Sequence, residues 1–423
     1  MSDIDTASSS SSSEVTKPST RLHKWATEIR AIPKKLYTDS SMKRSQVNYN
    51  KLKEESYVHL NKIVYYNRLM FYAGYFSSFM SSTSVFPWVL MGISMTVHWA
   101  GISHHTCHGG YQQGKYNRFT YGRGIYRRLV DWVDWLLAES WCIEHNSYHH
   151  YKLNEYYDPD NVEHNLKELR NMKAPMFVKY LIVGVFGLTW RQLYYSSNSY
   201  KYYIAHEKNI HMKRDDYKQT TLAGIFTNEW PEWLDAPTYI RHVLVPVIVY
   251  KMLLLFPFIW FAVYNELSYD ITYNILYNVC INMILAEVWC NIHTFLIIVP
   301  NHAGKDMYGY TTSVDRQSDE WLLRQTISST NYNRGDDITD VLHGWLNYQI
   351  EHHVYPSLSM REYQLVHKEV KAVCDKYGIP YVSENVFMRM YRTIRVMVGQ
   401  DSYIPYEGSS LEKYVNEIIP ANT

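Results

Sequence analysis

Two long apolar zones interrupt an otherwise polar chain. The first runs from about Ile63 to Ser103 and breaks at Ser81-Ser82-Thr83-Ser84. The second runs from about Ile240 to Val299 and breaks between Asn265 and Asp270. Each break leaves two halves of about 20 residues, the length at which a helix crosses a bilayer. The pattern therefore predicts two helical hairpins and four transmembrane helices. Two shorter apolar stretches lie between the zones, about Leu129–Cys142 and Met176–Tyr195. The first carries Asp131, Asp134 and Glu139, and the second Lys179 and Arg191. Charges at that density suit helices lying along the membrane surface, with buried helices of a cytosolic cap as the alternative.

Charge placement orients the hairpins. No Lys or Arg occurs between Arg68 and Lys115, or between Lys251 and Lys305, so both interhelical turns lack positive charge. The basic residues sit in the N-terminal, middle and C-terminal parts, which the positive-inside rule places in the cytosol. The mean hydropathy of −0.34 averages over these zones and hides them. The 40 Tyr and 13 Trp add side chains suited to the membrane interface. A net charge of +1 gives no reason to expect nucleic acid as a partner. Residues 1–20 are polar, with a serine run from Ser8 to Ser13, and read as a disordered tail. They show no signal-peptide pattern. Residues 21–400 read as one domain and 401–423 as a C-terminal tail. None of the five cysteines forms a C-x-x-C pair, which argues against a disulfide framework or a zinc–thiolate site.

The metal-capable residue is histidine, with 19 copies. His104 and His108 follow the first zone. His145, His149 and His150 follow the first short apolar stretch. His302 follows the second zone, and His352 and His353 lie in Asn-Tyr-Gln-Ile-Glu-His-His. On the predicted topology all of these clusters lie on the cytosolic side, at or just beyond a helix end. Histidines four apart share a helix face, so His104/His108 and His145/His149 can each aim two imidazoles at one point. Adjacent histidines point about 100° apart on a helix. The pairs His149-His150 and His352-His353 therefore suit two neighbouring ions better than one. Imidazole suits iron, zinc and copper, and this many exceeds what a tetrahedral zinc needs; a dinuclear centre fits. His105 neighbours two ligand positions and is a ligand or an outer-shell group. His293, near Glu287 in the last span, is an intramembrane polar residue and thus a functional candidate. His343 reads as structural.

The boxes His-x-x-x-His, His-x-x-x-His-His and Gln-x-x-His-His, set among hydrophobic hairpins, resemble the membrane fatty acid desaturases over about residues 60–385. Gln349 standing where other branches have histidine is similar to front-end acyl desaturases. Asp158–Asp160, Tyr377–Tyr381 and the Glu320-Trp321 to Arg334-Gly335 stretch fit as well. The resemblance implies an all-α integral membrane protein with four spans and a cytosolic helical cap holding a di-iron site. It implies His104, His108, His145, His149, His150, His302, His352 and His353 as iron ligands, with Asn301, His293 or Gln349 completing a shell. The carboxylates Glu144, Asp158, Asp160, Glu163 and Glu351 are candidates to orient ligands. Two iron ions and O2 then introduce a cis double bond into a fatty acyl chain linked to CoA or lipid. Two departures stand out. The first box has His105 where an acidic residue is usual, and no His-Pro-Gly-Gly haem motif is present, which implies a separate electron donor: cytochrome b5 with its reductase, or ferredoxin. The endoplasmic reticulum with cytosolic termini is the expected location, a plastid membrane the alternative. The rival readings are a di-iron fatty acyl or lipid hydroxylase and a non-catalytic metal-binding or transport protein.

Overall fold

The computed structural model describes residues 20–37, 45–227, 229–334 and 336–406. The serine-rich stretch read as a tail lies outside them, apart from Thr20. In chain order, the helices that position the site are α1 (Thr20–Tyr37), α2 (Ser45–Ser77) and α3 (Val85–Cys107), then α4 (Gly124–Asp131) and α5 (Ala138–Ile143). They continue with α6 (Met176–Trp190), α7 (Ser196–Glu207), α8 (Ala236–Tyr264) and α9 (Tyr269–His302). The last four are α10 (Asp319–Ile327), α11 (Gln349–Val354), α12 (Met360–Tyr377) and α13 (Val386–Met397).

Three of these, α3, α8 and α9, are long and apolar enough to cross a membrane, against the four expected. The difference lies in α2. Its 33 residues begin at Ser45 in polar sequence, and its apolar half carries Asn67 and Arg68. Both predicted turns are present: α2 and α3 are separated at residues 78–84, and α8 and α9 at residues 265–268. Ser268 caps α9 by accepting from the Ile271 N–H, which satisfies one of the donors a helix start leaves free. The stretch expected as one surface helix over about Leu129–Cys142 is two helices, α4 and α5. Between them Asp134 Oδ1 accepts from the Leu136 N–H, and the Trp132 indole donates to Leu136 O. These local bonds compete with the helix ladder.

α2 packs on α3, and α3 on α9. The second contact depends on Gly92: a Cβ there would lie 2.6 Å from Trp289 Cδ1 and 2.9 Å from the Ala286 carbonyl oxygen. Small residues let membrane helices approach this closely. Gly92→Val is expected to destabilise the protein by roughly 1–3 kcal/mol, the usual cost of overpacking. A fall in thermal unfolding temperature in detergent would register it, and an unchanged transition would refute the close contact.

Glu287 in α9 is half-buried and fully engaged. It receives Lys251 and the Trp135 and Gln192 N–H groups, and it lies 3.7 Å from Arg191. It is thus part of an ion network joining α6, α8 and α9. Away from the apolar helices α12 starts with a capping box between Ser359 and Glu362. The same glutamate accepts from Lys53 of α2 at 2.9 Å. Tyr308–Tyr310 pairs in parallel with Ile404–Tyr406. The first residues of the expected C-terminal tail are therefore tied to the body of the fold.

Candidate metal centre

All eight box histidines converge, and none is more than 7 % exposed. His104 and His108 end α3. Just before them the helix widens into a π-helical segment over Val97–Ser103. A second π-helical turn, Glu144–Tyr148, follows α5 and carries His145, and a 3-10 turn then presents His149 and His150. Such irregular turns are frequent at functional sites. His302 ends α9, and His352 and His353 lie on α11. The final box is aimed by an uncommon turn. Gly344 and Trp345 both have left-handed backbone, with φ of 58° and 59°. Trp345 is fully buried and its N–H donates to Asp340 O at 2.9 Å. A bulky residue in this region is strained and persists only where its surroundings hold it.

The imidazoles form two foci. His104, His108, His145 and His352 bring one nitrogen each within 4.8 Å of one another, and so do His149, His302 and His353. A third group, His150 with His352 and His353, joins the two. Nitrogens sharing a first-row ion at about 2.0–2.1 Å, as on zinc, lie up to about 4 Å apart, so the spacing fits. His352 and His353 are divided between the foci, and His149 in the second focus is followed by His150 in the joining group, as the offset of adjacent residues allows.

Hydrogen bonds set the tautomers. His149 Nδ1 donates to Asp158 Oδ1 at 2.9 Å, His302 Nδ1 to Ser328 O at 2.8 Å, and His353 Nδ1 to Gln325 Oε1 at 2.9 Å. A carbonyl or carboxylate oxygen can only accept. Each of these three imidazoles therefore keeps a bare Nε2 for an ion. The remaining contacts are chemically awkward for protein alone. His104 Nε2 lies 2.9 Å from His352 Nε2, which lies 3.1 Å from His150 Nε2. Neutral imidazoles have one N–H each, and the buried Nε2 of His108 and His353, with both nitrogens of His145, have no partner. Buried polar atoms left so are costly, and a pair of cations satisfies them together. The residues present fit a dinuclear metal site.

Residues 81–385 match the family model described as fatty acid desaturase. The chain belongs to the fatty acid desaturase family. A relative from Mycobacterium tuberculosis, NADPH-dependent stearoyl-CoA 9-desaturase, is 30% identical over 121 residues, 28% of each chain. The Delta(8)-fatty-acid desaturase of Euglena gracilis is 42% identical over 57 residues, 14% of this chain and 13% of its own. Acyl-lipid (7-3)-desaturase of Chlamydomonas reinhardtii is 39% identical over 62 residues, 15% and 12%. The chain thus spans well under a third of these relatives' length. No solved structure matches it.

The electrostatics of this family member's centre keep its imidazoles neutral. Burial, reinforced by neighbouring imidazoles, holds His108, His145, His150, His352 and His353 well below the ordinary histidine range. His149 is the exception. Burial opposes its charge, but Asp158 and Asp160 together outweigh burial and raise its pKa. Burial pushes the Asp160 carboxyl up to about 6 against the pull of His149, and drives Glu144 well above the carboxylate range. Glu144 accepts from the Tyr195 hydroxyl at 3.0 Å.

The outlying candidates separate. Gln349 reaches the second focus, its Nε2 2.8 Å from His302 Nε2 and its Oε1 without a partner. Asn301 is buried nearby, donating to Leu346 O. His105 donates from Nδ1 to Gly101 O, stacks on His104, and joins neither focus. His293 bonds Leu342 O and stays outside, and His343 bonds Thr339 O. Glu163 pairs with Arg170, and Glu351 accepts from Tyr381 and Asn331, so neither touches a box histidine. Gln325 and the Ser328 carbonyl, which orient two histidines, fall in the Glu320–Gly335 stretch that the resemblance includes, but nothing in that stretch singles them out. Trp141, stacked on His145 at 4.4 Å, carries no sequence signal.

Beside the foci lies a mainly apolar cavity, lined by His104, His145, His149 and His302 together with Phe186, Trp190 and Tyr195. Asp160, Asn165 and Gln219 make one part of its lining polar.

Proposed function

We propose that this chain is an O2-dependent acyl desaturase of the front-end type, with the eight box histidines holding two iron ions. The observation that carries this reading is the position of the foci, buried and bordering a mainly apolar cavity. The reaction takes two hydrogens from adjacent methylenes, with two electrons and two protons, and returns a cis double bond and two waters from O2. Bound iron would supply the oxidant that no side chain can. The chain's own residues do the rest. Asp158, Ser328 and Gln325 orient imidazoles, which fixes where the reacting carbons must lie. Trp190, Tyr195 and Phe186 give the acyl chain an apolar bed and exclude water. The polar lining at Asp160, Asn165 and Gln219 suits the carrier end of the substrate, CoA or lipid head group.

Front-end chemistry is supported by Gln349 in place of a box histidine and by the names of the Euglena and Chlamydomonas relatives. The electrons come from a carrier such as cytochrome b5 with its reductase, or ferredoxin. We place the enzyme in the endoplasmic reticulum, with α2 as a fourth span, a cytosolic helical cap and both termini cytosolic.

Expression in a desaturase-poor yeast fed a panel of unsaturated acids, read by gas chromatography–mass spectrometry, tests the proposal. The expected product carries a new cis bond on the carboxyl side of an existing one. A hydroxylated product without new unsaturation would assign the chain to oxygen insertion instead. Folded, iron-loaded protein that made no product would reject the substrate class.

A further inference from the structure

Away from the box histidines, a cleft opens between α4 and α8. Its floor is Trp132, and its walls include Leu129 of α4 and Val247 and Tyr250 of α8. Two arginines, Arg128 and Arg241, stand in the same cleft. Arg128 is held there by a defect in α8. Pro246 has no N–H to give to the carbonyl four residues back, that of His242. Arg128 donates to this carbonyl instead, and to Val243 O at 3.1 Å. Carbonyls fix the guanidinium without neutralising it. Among the described residues neither Arg128 nor Arg241 forms a salt bridge; Glu139, which lines the cleft, and Asp134 attract Arg128 only from beyond contact distance.

The level of the cleft defines its occupant. α8 is a span by length and composition, and Arg241 lies in its second turn. Ile125 and Tyr126 on α4 are 86 % and 75 % exposed, as expected of a helix lying in the interface. We propose that this cleft is a binding site for a membrane phospholipid with an acidic head group. The phosphate sits between Arg128 and Arg241, since guanidinium is the side chain that best matches phosphate. One acyl chain runs down the slot formed by Leu129, Val247 and Tyr250. A free anion would leave that slot unfilled.

The test uses the full chain, purified in detergent and stripped of lipid, with binding followed by native mass spectrometry. Its probes are dioleoyl phosphatidic acid, dioleoyl phosphatidylcholine and inorganic phosphate. Phosphatidic acid is expected to bind about tenfold more tightly than phosphatidylcholine, the worth of one charge-assisted contact. Arg241→Gln removes most of that preference, and Leu129→Trp, which fills the slot, weakens both lipids. Equal binding of the two lipids by the parent chain would overturn the proposal. So would an undiminished preference in Arg241→Gln, or displacement of phosphatidic acid by phosphate at comparable concentration. Arg241 is exposed, so its variant decides the matter even if the Leu129 variant does not fold.

Discussion

His353→Ala is expected to abolish product while leaving the protein folded in the membrane. His353 belongs to the second focus with His149 and His302, and to the joining group with His150 and His352. Its Nδ1 is held by Gln325, and its Nε2 has no protein partner. Removing an outer-shell partner of a metal ligand costs roughly 10–100-fold; removing a member of the second focus that also belongs to the joining group should exceed that. Product analysis, with iron counted in the purified protein, checks it. The expected variant holds less iron per chain than the parent and makes no new unsaturation. Full activity would remove His353 from the ligand set. A variant missing from the membrane fraction would point to a folding role, and His353→Gln, which preserves a polar head of similar size, separates the two.

The second large effect concerns the metal-free protein in acid. In the folded chain His108, His145, His150, His352 and His353 resist protonation, because burial and their neighbours penalise the charge. In the unfolded chain each takes up a proton as pH falls through about 6.5. Below that pH the unfolded state binds more protons, so stability falls as pH falls. Each such group contributes about 1.4 kcal/mol per pH unit, and the five together about 7 kcal/mol per unit where all are shifted. His149 acts oppositely: its raised pKa gives a contribution present at low pH and lost as pH rises through its folded value. One group does not offset five. Thermal unfolding of metal-free protein in detergent should therefore weaken steeply between pH 6.5 and 5.5, and less steeply in His352→Asn. A flat profile over that window would mean that the imidazoles are not buried together.

Much of the centre was legible because histidine carries a spacing code. Residues four apart share a helix face and adjacent ones diverge. The structure gathers the seven side chains that this code picks out together with the lone His302, and it splits His352 and His353 between the foci. Turns at residues 78–84 and 265–268 were legible for a similar reason, as polar breaks in apolar runs. What was not legible depends on contacts across the chain. The start of α2 at Ser45 could not be read, since its polar half is stabilised by partners such as Glu362, more than 300 residues away. The break between α4 and α5 rests on two local bonds inside a stretch that periodicity reads as continuous. Gln325 and the Ser328 carbonyl are ordinary in sequence and matter only for what they face. Arg128 looked like one basic residue among many, and only Pro246 in another helix explains where it points.

The division of adjacent histidines between foci has a thermodynamic consequence. His352 and His353 share one turn of α11, and His150 stands between the foci. An ion in either focus therefore fixes a backbone segment and ring orientations that the other also requires. Whatever ordering cost the first ion meets is largely spared the second, so the two binding events are positively coupled, and by reciprocity each ion strengthens the other. Titration of the metal-free chain would then fill the sites pairwise, with few singly occupied molecules at half-saturation. Loss of one ion would loosen the other, and the centre would assemble and decay as a unit.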